Sequence, residues 1–142
     1  SEFFISYRKT KLKKGDFVYS VKIPINKKNY FKAYKISKRF DDDISTVCAS
    51  FNFLIQKNII VKAKIAYGGM SETAKLAKSI EKKLTNSIFS EEIFLKAKDL
   101  IYNDFNPIDD MRSSRNYRIE VAKNLLMKFF YEISTKKNIR VN

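Results

Sequence analysis

Two long stretches of alternation, joined by three polar residues, limit what this chain can fold into more than any other feature. From Thr46 to Ile55, the residues Val47, Ala49, Phe51, Phe53 and Ile55 fall on one side. From Ile59 to Tyr67, Ile59, Val61, Ala63 and Ile65 oppose Lys62, Lys64 and Ala66. A period of two sends successive side chains to opposite faces. Gln56-Lys57-Asn58 is short enough for a hairpin turn. The pair therefore predicts an antiparallel hairpin with one apolar face.

Two further strands are expected upstream. Phe17 to Ile25 sets Phe17, Tyr19, Val21, Ile23 and Ile25 against Val18, Ser20, Lys22 and Pro24. Asn26-Lys27-Lys28-Asn29 reads as a turn, and Tyr30 to Lys38 as an aromatic-rich strand. The periodicity then changes. Leu76, Ala77, Ile80 and Leu84 predict a helix over 73–84. Ser90 is a good N-cap with Glu91 and Glu92 in the first turn, where the helix dipole favours acids. Ile93, Phe94, Ala97, Leu100 and Ile101 give that second helix its inner side, and Asn106-Pro107 stops it. A third helix runs over 114–134 with Tyr117, Val121, Ala122, Leu125, Phe129 and Ile133 as its stripe. Strands in one block and helices in the next predict an α+β fold: a four-stranded antiparallel sheet with three helices packed on one face. Phe17, Val21, Phe51, Phe53 and Ile65 are expected to be buried against Leu76, Ile80, Leu125 and Phe129.

Composition removes whole classes of chemistry. The chain has 142 residues, no His and one cysteine, Cys48. A Ser-His-Asp or Cys-His nucleophile cannot be built from it, nor a Cys/His zinc site or an iron–sulfur site. Cys48 lies within an apolar strand and reads as a small core residue. No apolar run approaches the roughly 20 residues that span a bilayer, and no signal-peptide pattern opens the chain. The lone cysteine fits a reducing, cytoplasmic setting. The start, Ser1-Glu2-Phe3-Phe4, reads like the middle of a longer protein. The net charge is +14, from 29 Lys+Arg against 15 Asp+Glu. Its lysines are spread over every segment, which reads as a solvated surface rather than a specific nucleic-acid or membrane site. A stand-alone basic module for nucleic acid or an acidic protein partner is the alternative reading.

Five segments carry a resemblance. They are Phe3-Phe4-Ile5-Ser6-Tyr7-Arg8-Lys9-Thr10, Ile23-Pro24, the run from Lys35-Ile36-Ser37-Lys38-Arg39 through Asp41-Asp42-Asp43 to Ile44-Ser45-Thr46-Val47, Ala66-Tyr67-Gly68-Gly69-Met70, and Asp110-Met111-Arg112-Ser113-Ser114-Arg115-Asn116-Tyr117-Arg118. In this order they resemble the C-terminal subdomain of the FAD-binding subunit or domain of molybdenum hydroxylases, the xanthine dehydrogenase and carbon monoxide dehydrogenase group. The resemblance implies that residues 1–142 form one domain, the C-terminal lobe of an FAD-binding module whose N-terminal FAD-binding lobe is absent. It implies an oxidoreductase in which electrons reach FAD from [2Fe–2S] clusters and leave to NAD or another acceptor. The FAD would be shared with the missing lobe. The molybdopterin and iron–sulfur centres would sit on partner subunits or domains, and the isolated chain would be inactive.

The same resemblance names site residues. Lys35, in the pair Tyr34-Lys35, takes the place of a lysine that contacts FAD; a cation there suits the anionic reduced flavin. Lys38-Arg39-Phe40-Asp41-Asp42-Asp43-Ile44 resembles the loop that lies over the flavin ring, which makes Arg39 and Asp42 candidates. Phe40 replaces a second arginine seen in some relatives. Val18 matches an apolar residue packed against the flavin, and Tyr7 a position near the flavin and the nicotinamide entry. Each also has a plainer reading: surface charge for Lys35 and Arg39, a polar turn for the acids, a single exposed valine, and an N-terminal segment docked on the sheet. Gly68-Gly69 reads as structural, a strand exit that needs positive φ and close packing. Asp110, Arg112, Tyr117 and Arg118 read the same way, with Asp110 or Ser113 capping the last helix and Arg112 pairing with Asp110 or reaching carbonyls.

Overall fold

A computed structural model describes residues 3–40 and 42–139. A hairpin of β1 (Phe4–Ser6) and β2 (Lys9–Thr10) comes first. The main sheet follows: β3 (Tyr30–Ile36), β4 (Val47–Gln56), β5 (Ile59–Gly68) and β6 (Lys75–Leu76), antiparallel and adjacent in that order. Helices α1 (Lys78–Leu84), α2 (Glu91–Lys98), α3 (Ile101–Asp104) and α4 (Arg115–Thr135) complete the chain. The sheet is four-stranded, antiparallel and followed by helices, as the sequence predicts. Its membership differs.

Phe17 to Ile25 is not in the sheet. It forms no strand, and every residue from 11 to 28 is exposed. Phe17 and Val21 are therefore not core residues; they are 76% and 75% exposed. The edge of β3 makes no ladder with them, and the fourth place goes to β6, where Leu76 pairs with Ala66 and Lys75 with Tyr67. That pairing also holds residues 75–76 extended, so α1 starts at Lys78 rather than near Thr73. Its first N–H groups, from Ser79 and Ile80, donate to the carboxylate of Asp104, a cap supplied from α3.

The β4–β5 hairpin turns at Lys57 and Asn58, with φ of 47° and 63°. Two positive φ values match the right-handed strand twist. A register shift lies between Leu54 and Ile55, with Leu54 opposite Lys62 and Ile55 opposite Ile60. Val61 is the extra residue, a bulge that reverses the alternation. Ile60 is buried while Ile59 and Val61 are exposed, contrary to the simple period of two.

The core lies between the sheet and α4. Phe51, Phe53, Phe94 and Phe129 are fully buried; the Phe129 ring centroid is 5.1 Å from that of Phe51 and 4.6 Å from that of Phe53. The expected burial of Phe51, Phe53, Ile65, Ile80, Leu125 and Phe129 is found. The second helix breaks into α2 and α3 at Asp99 and Leu100, and Ser90 occupies the N-cap position without a side-chain cap bond. Ser114, not Asp110 or Ser113, caps α4 by accepting from the Tyr117 N–H at 3.2 Å. Tyr117 is exposed, and the buried stripe of α4 takes in Ile119, Leu126 and Phe130 instead. Cys48 is exposed too. Val47 and Ala49 face the helices, so the strand period turns Cys48 to the opposite face.

Candidate functional site

The face of the sheet away from the helices carries the first candidate. Lys35 stands opposite Cys48 on β4, and Cys48 opposite Gly68 on β5. In the next row of the same face, Ala33, Ser50 and Ala66 are aligned. Residues this small leave a low ledge across three strands, with the cation of Lys35 on its β3 margin. Lys35 is exposed, and its side chain has no ion pair or hydrogen bond among the described residues.

Its neighbour fixes its direction. Tyr34 turns inward, its ring 5.8 Å from Phe51, and its hydroxyl donates to Glu132 Oε2 at 2.8 Å. Burial, then the Glu132 carboxylate, keeps this phenol protonated far above its ordinary range. Glu132 is itself buried. Burial alone would raise its carboxyl; donors from Tyr34, the Ile139 N–H and Lys32 outweigh it and hold the group below its ordinary value. With Tyr34 anchored on α4, Lys35 must point the other way.

The second candidate is the loop from Ser37 to Ser45. The Thr46 N–H donates to Ile36 O at 2.7 Å and closes its base. Asp43 Oδ2 accepts from the Arg39 N–H at 3.0 Å, and the Arg39 guanidinium lies 4.0 Å from Asp43 Oδ1. The backbone bond from Arg39 is the main reason that the Asp43 carboxyl sits below its ordinary value. Arg39 is thus turned back on its own loop. Asp42 is exposed and takes a φ of 49°, a left-handed conformation that Asp tolerates. Phe40 is 98% exposed. Asp41 lies outside the described residues. Lys38 Nζ donates to Met111 O at 3.0 Å and ties the loop to the turn before α4.

That turn is where the sequence said least. Arg118 is buried, and its Nη1 donates to Thr46 O at 2.6 Å and Gly69 O at 2.9 Å. Its Nη2 donates to Asp110 Oδ1 at 2.6 Å. The same oxygen accepts from the N–H groups of Arg112 and Ser113, and Arg112 pairs with Asp110 at 3.6 Å as expected. Burial opposes the charge on Asp110, yet these donors hold its carboxyl below the ordinary value. Gly69 has a φ of 78°, and a Cβ there would come 2.3 Å from Thr46 O. One guanidinium therefore joins the loop exit, the β5 exit and the start of α4. The structural reading of Gly69 and Arg118 holds. Their partners lie 49 and 72 residues from Arg118, a separation no local pattern reveals.

Val18 and Tyr7 are not joined to this ledge. Both lie in the exposed N-terminal arm; Tyr7 carries Arg8 over its ring at 5.2 Å, and no sheet pairing brings Val18 beside Lys35. Grooves among the described residues include one between β5 and α1 around Lys62, Lys64, Glu81 and Lys82, and another around Tyr30, Lys32 and Glu132. Neither is lined by Lys35, Arg39 or Asp42. No group of three or more potential metal ligands occurs among the described residues, and none of the described helices is long and apolar enough to cross a membrane.

Residues 32–133 match the family model for the CO dehydrogenase flavoprotein C-terminal domain. The chain belongs to this family. Chicken xanthine dehydrogenase/oxidase is 31% identical over 134 residues, covering 92% of this chain and 10% of its own length. The glyceraldehyde dehydrogenase medium chain of Sulfolobus acidocaldarius is 28% identical over 133 residues, covering 94% of this chain and 47% of its own. The chain thus spans a tenth of the first relative and about half of the second. Among solved structures, quinoline 2-oxidoreductase from Pseudomonas putida 86 superposes with a TM-score of 0.82 at 24% identity, over 95% of this chain and 47% of that one. Carbon monoxide dehydrogenase from Hydrogenophaga pseudoflava gives 0.80 at 19% identity, over 88% and 44%. These superpositions establish the family's fold, a four-stranded antiparallel sheet backed by helices.

Proposed function

We propose that this chain is the C-terminal lobe of the FAD-carrying part of a xanthine dehydrogenase-like molybdenum hydroxylase, and that its uncovered sheet face and the Ser37–Ser45 loop form one wall of the flavin site. The observation that carries the reading is the ledge itself. A flat isoalloxazine ring needs a surface without bulky side chains, and Ala33, Ser50, Ala66 and Gly68 provide one in register. Lys35 stands on the same face with its cation unspent on any described partner. The residues present fit the group.

Bound there, FAD would supply the redox chemistry, taking electrons from [2Fe–2S] clusters and passing them to NAD or another acceptor. The chain's own residues position and tune. Lys35 would place positive charge beside the ring, where it favours added electron density. Asp42, exposed at the loop crest, would act in the opposite sense. Asp43 and Arg39 would keep the loop closed, and Lys38 would brace it against the Met111 carbonyl. The molybdopterin and iron–sulfur centres would belong to partner subunits or domains; the single cysteine, Cys48, cannot supply the thiolates of an iron–sulfur cluster. A ledge open on one side covers little of a ligand as large as FAD, so a second lobe must hold the rest.

The test is the flavin midpoint potential of the whole enzyme in Lys35→Met and Asp42→Asn variants. The expected result is a lower potential for the first and a higher one for the second, with thermal stability unchanged. Parental potentials together with sharply reduced stability would make both residues structural and sink the assignment.

A further inference from the structure

The net charge of +14 is a sequence feature that the flavin reading leaves unused, and the structure gathers part of it in one place. Between Lys57 and Lys83 the chain holds seven lysines and two acids, Glu72 and Glu81. Four of these lysines, Lys62 and Lys64 on β5 with Lys78 and Lys82 on α1, line an open groove of about 490 Å³. Glu81 is the one carboxylate that lines it, and both of its oxygens are occupied. Oε1 accepts from the Ile65 N–H at 2.8 Å, and Oε2 pairs with Lys64 Nζ at 3.1 Å. Lys62, Lys78 and Lys82 are exposed, and their ammonium groups have no ion pair or hydrogen bond among the described residues. Lys78 and Lys82 lie four residues apart on one helix face, a spacing at which like charges destabilise the helix. An anion in the groove would reverse the sign of that effect.

We propose that this groove is the docking site of an acidic, extended polypeptide segment, with aspartates or glutamates at alternate positions, carried by a part of the enzyme outside this lobe. The proposal rests on the proposed function for one point, that the partner belongs to the same enzyme. Geometry favours a peptide. The ammoniums stand in two rows instead of converging on a point. Lys62 and Lys64 share a strand face two residues apart, roughly 7 Å, and Lys78 and Lys82 are one helical turn apart, about 5–6 Å between Cβ atoms. Same-side residues of an extended chain repeat at roughly 7 Å as well, so carboxylates on every second residue meet one row after the other. The rest of the lining suits a peptide too. Val61 is 40% exposed and offers an apolar contact, and Asn86 offers amide hydrogen bonds.

Other anions fit less well. Single-stranded nucleic acid needs aromatic or arginine surfaces on which bases stack, and no residue that lines the groove is aromatic or arginine. A compact phosphate gains most at a helix N-terminus. The first N–H groups of α1 are already taken by Asp104, and Thr85 and Asn86 in the groove lie at the opposite end of that helix. The groove is also remote from the flavin ledge. It sits on the outer side of β5, and Lys35 stands across β4 on β3.

The test is lysine chemistry on the whole flavin-containing enzyme, read by peptide mass spectrometry. A carbodiimide joins an ammonium to a carboxylate that touches it. It is expected to link Lys62, Lys78 or Lys82 to aspartates or glutamates of an acidic stretch outside residues 1–142. At low salt the same three lysines should be acetylated at least about tenfold more slowly than Lys57 and Lys83, which lie outside the groove, and high salt should narrow the gap by screening the contact. The double variant Lys62→Glu, Lys82→Glu should lose the link from Lys78, while Lys83→Glu keeps every link. Acetylation of all three at the rate of Lys57, with no link formed, overturns the proposal. So do links that reach only a second copy of this chain, and protection that nuclease treatment abolishes. Flavin absorbance of the same sample separates the two claims. Links without bound flavin sink the functional reading and leave the docking site standing, and bound flavin with three freely acetylated lysines does the reverse.

Discussion

Single residues divide here into those that hold the lobe and those that face outward from it. Arg118 and Asp110 hold it. Asp110→Ala would strand a buried guanidinium without its carboxylate, which costs about 3–5 kcal/mol, whereas Arg112→Ala removes a half-exposed partner at 3.6 Å and costs within about 1 kcal/mol. Urea unfolding of the two variants checks the contrast. Lys35 faces outward, and Lys35→Met should change stability by no more than roughly 0.5 kcal/mol. In the whole enzyme the same substitution should lower the flavin potential by on the order of 30 mV, which for a two-electron couple is about 1.4 kcal/mol. Spectroelectrochemical titration reads that shift. The family resemblance marked Lys35, Arg39 and Asp42 as candidates. The acid cluster calls for nearby cations such as Arg39 and Lys38, but which acid Arg39 folds back on depends on how the loop closes between Ile36 and Thr46.

At the scale of elements, α4 is the spine of the helical layer. Phe129 meets Phe51 and Phe53 from the sheet and Phe94 from α2, so it joins three elements in one contact. Phe129→Ala should cost about 3–5 kcal/mol, the usual loss for a buried aromatic whose cavity cannot collapse. Chemical denaturation should show a lower midpoint with an unchanged slope. The hairpin β4–β5 and helix α4 were legible from periodicity, since burial of one face leaves its mark every two or every 3.6 residues. The bulge at Val61 was not, because one inserted residue shifts the phase without changing composition. Nor was β6 legible, since two residues carry no period at all.

Across the whole molecule, charge and the open ledge set the behaviour. Asp110 and Glu132 both have carboxyls held below their ordinary values. A depressed folded value means stability that is present above the unfolded value, near 4, and lost as pH falls through the folded one. Unfolding followed by circular dichroism should therefore show stability flat at neutral pH and falling below about pH 4, with a shallower fall in Glu132→Gln once its neutral-pH cost is allowed for. The ledge is open on one side, so this chain alone should bind free FAD weakly; a submicromolar affinity in a fluorescence titration would overturn the two-lobe account. The sequence by itself determined the fold class, the hairpin at its centre, the absence of any His-based or metal-cysteine chemistry, and the order of charges around Lys35. These follow from local alternation and from residue types that are present or missing. Only the tertiary structure decided that Phe17–Ile25 stands outside the sheet, that Cys48 and Lys35 share the uncovered face, and that Arg118 clamps Thr46, Gly69 and Asp110. An amphipathic strand declares that it needs an edge but not whose edge. A buried cation declares that it needs acceptors but not which carbonyls, and those choices are made by segments far apart in the chain.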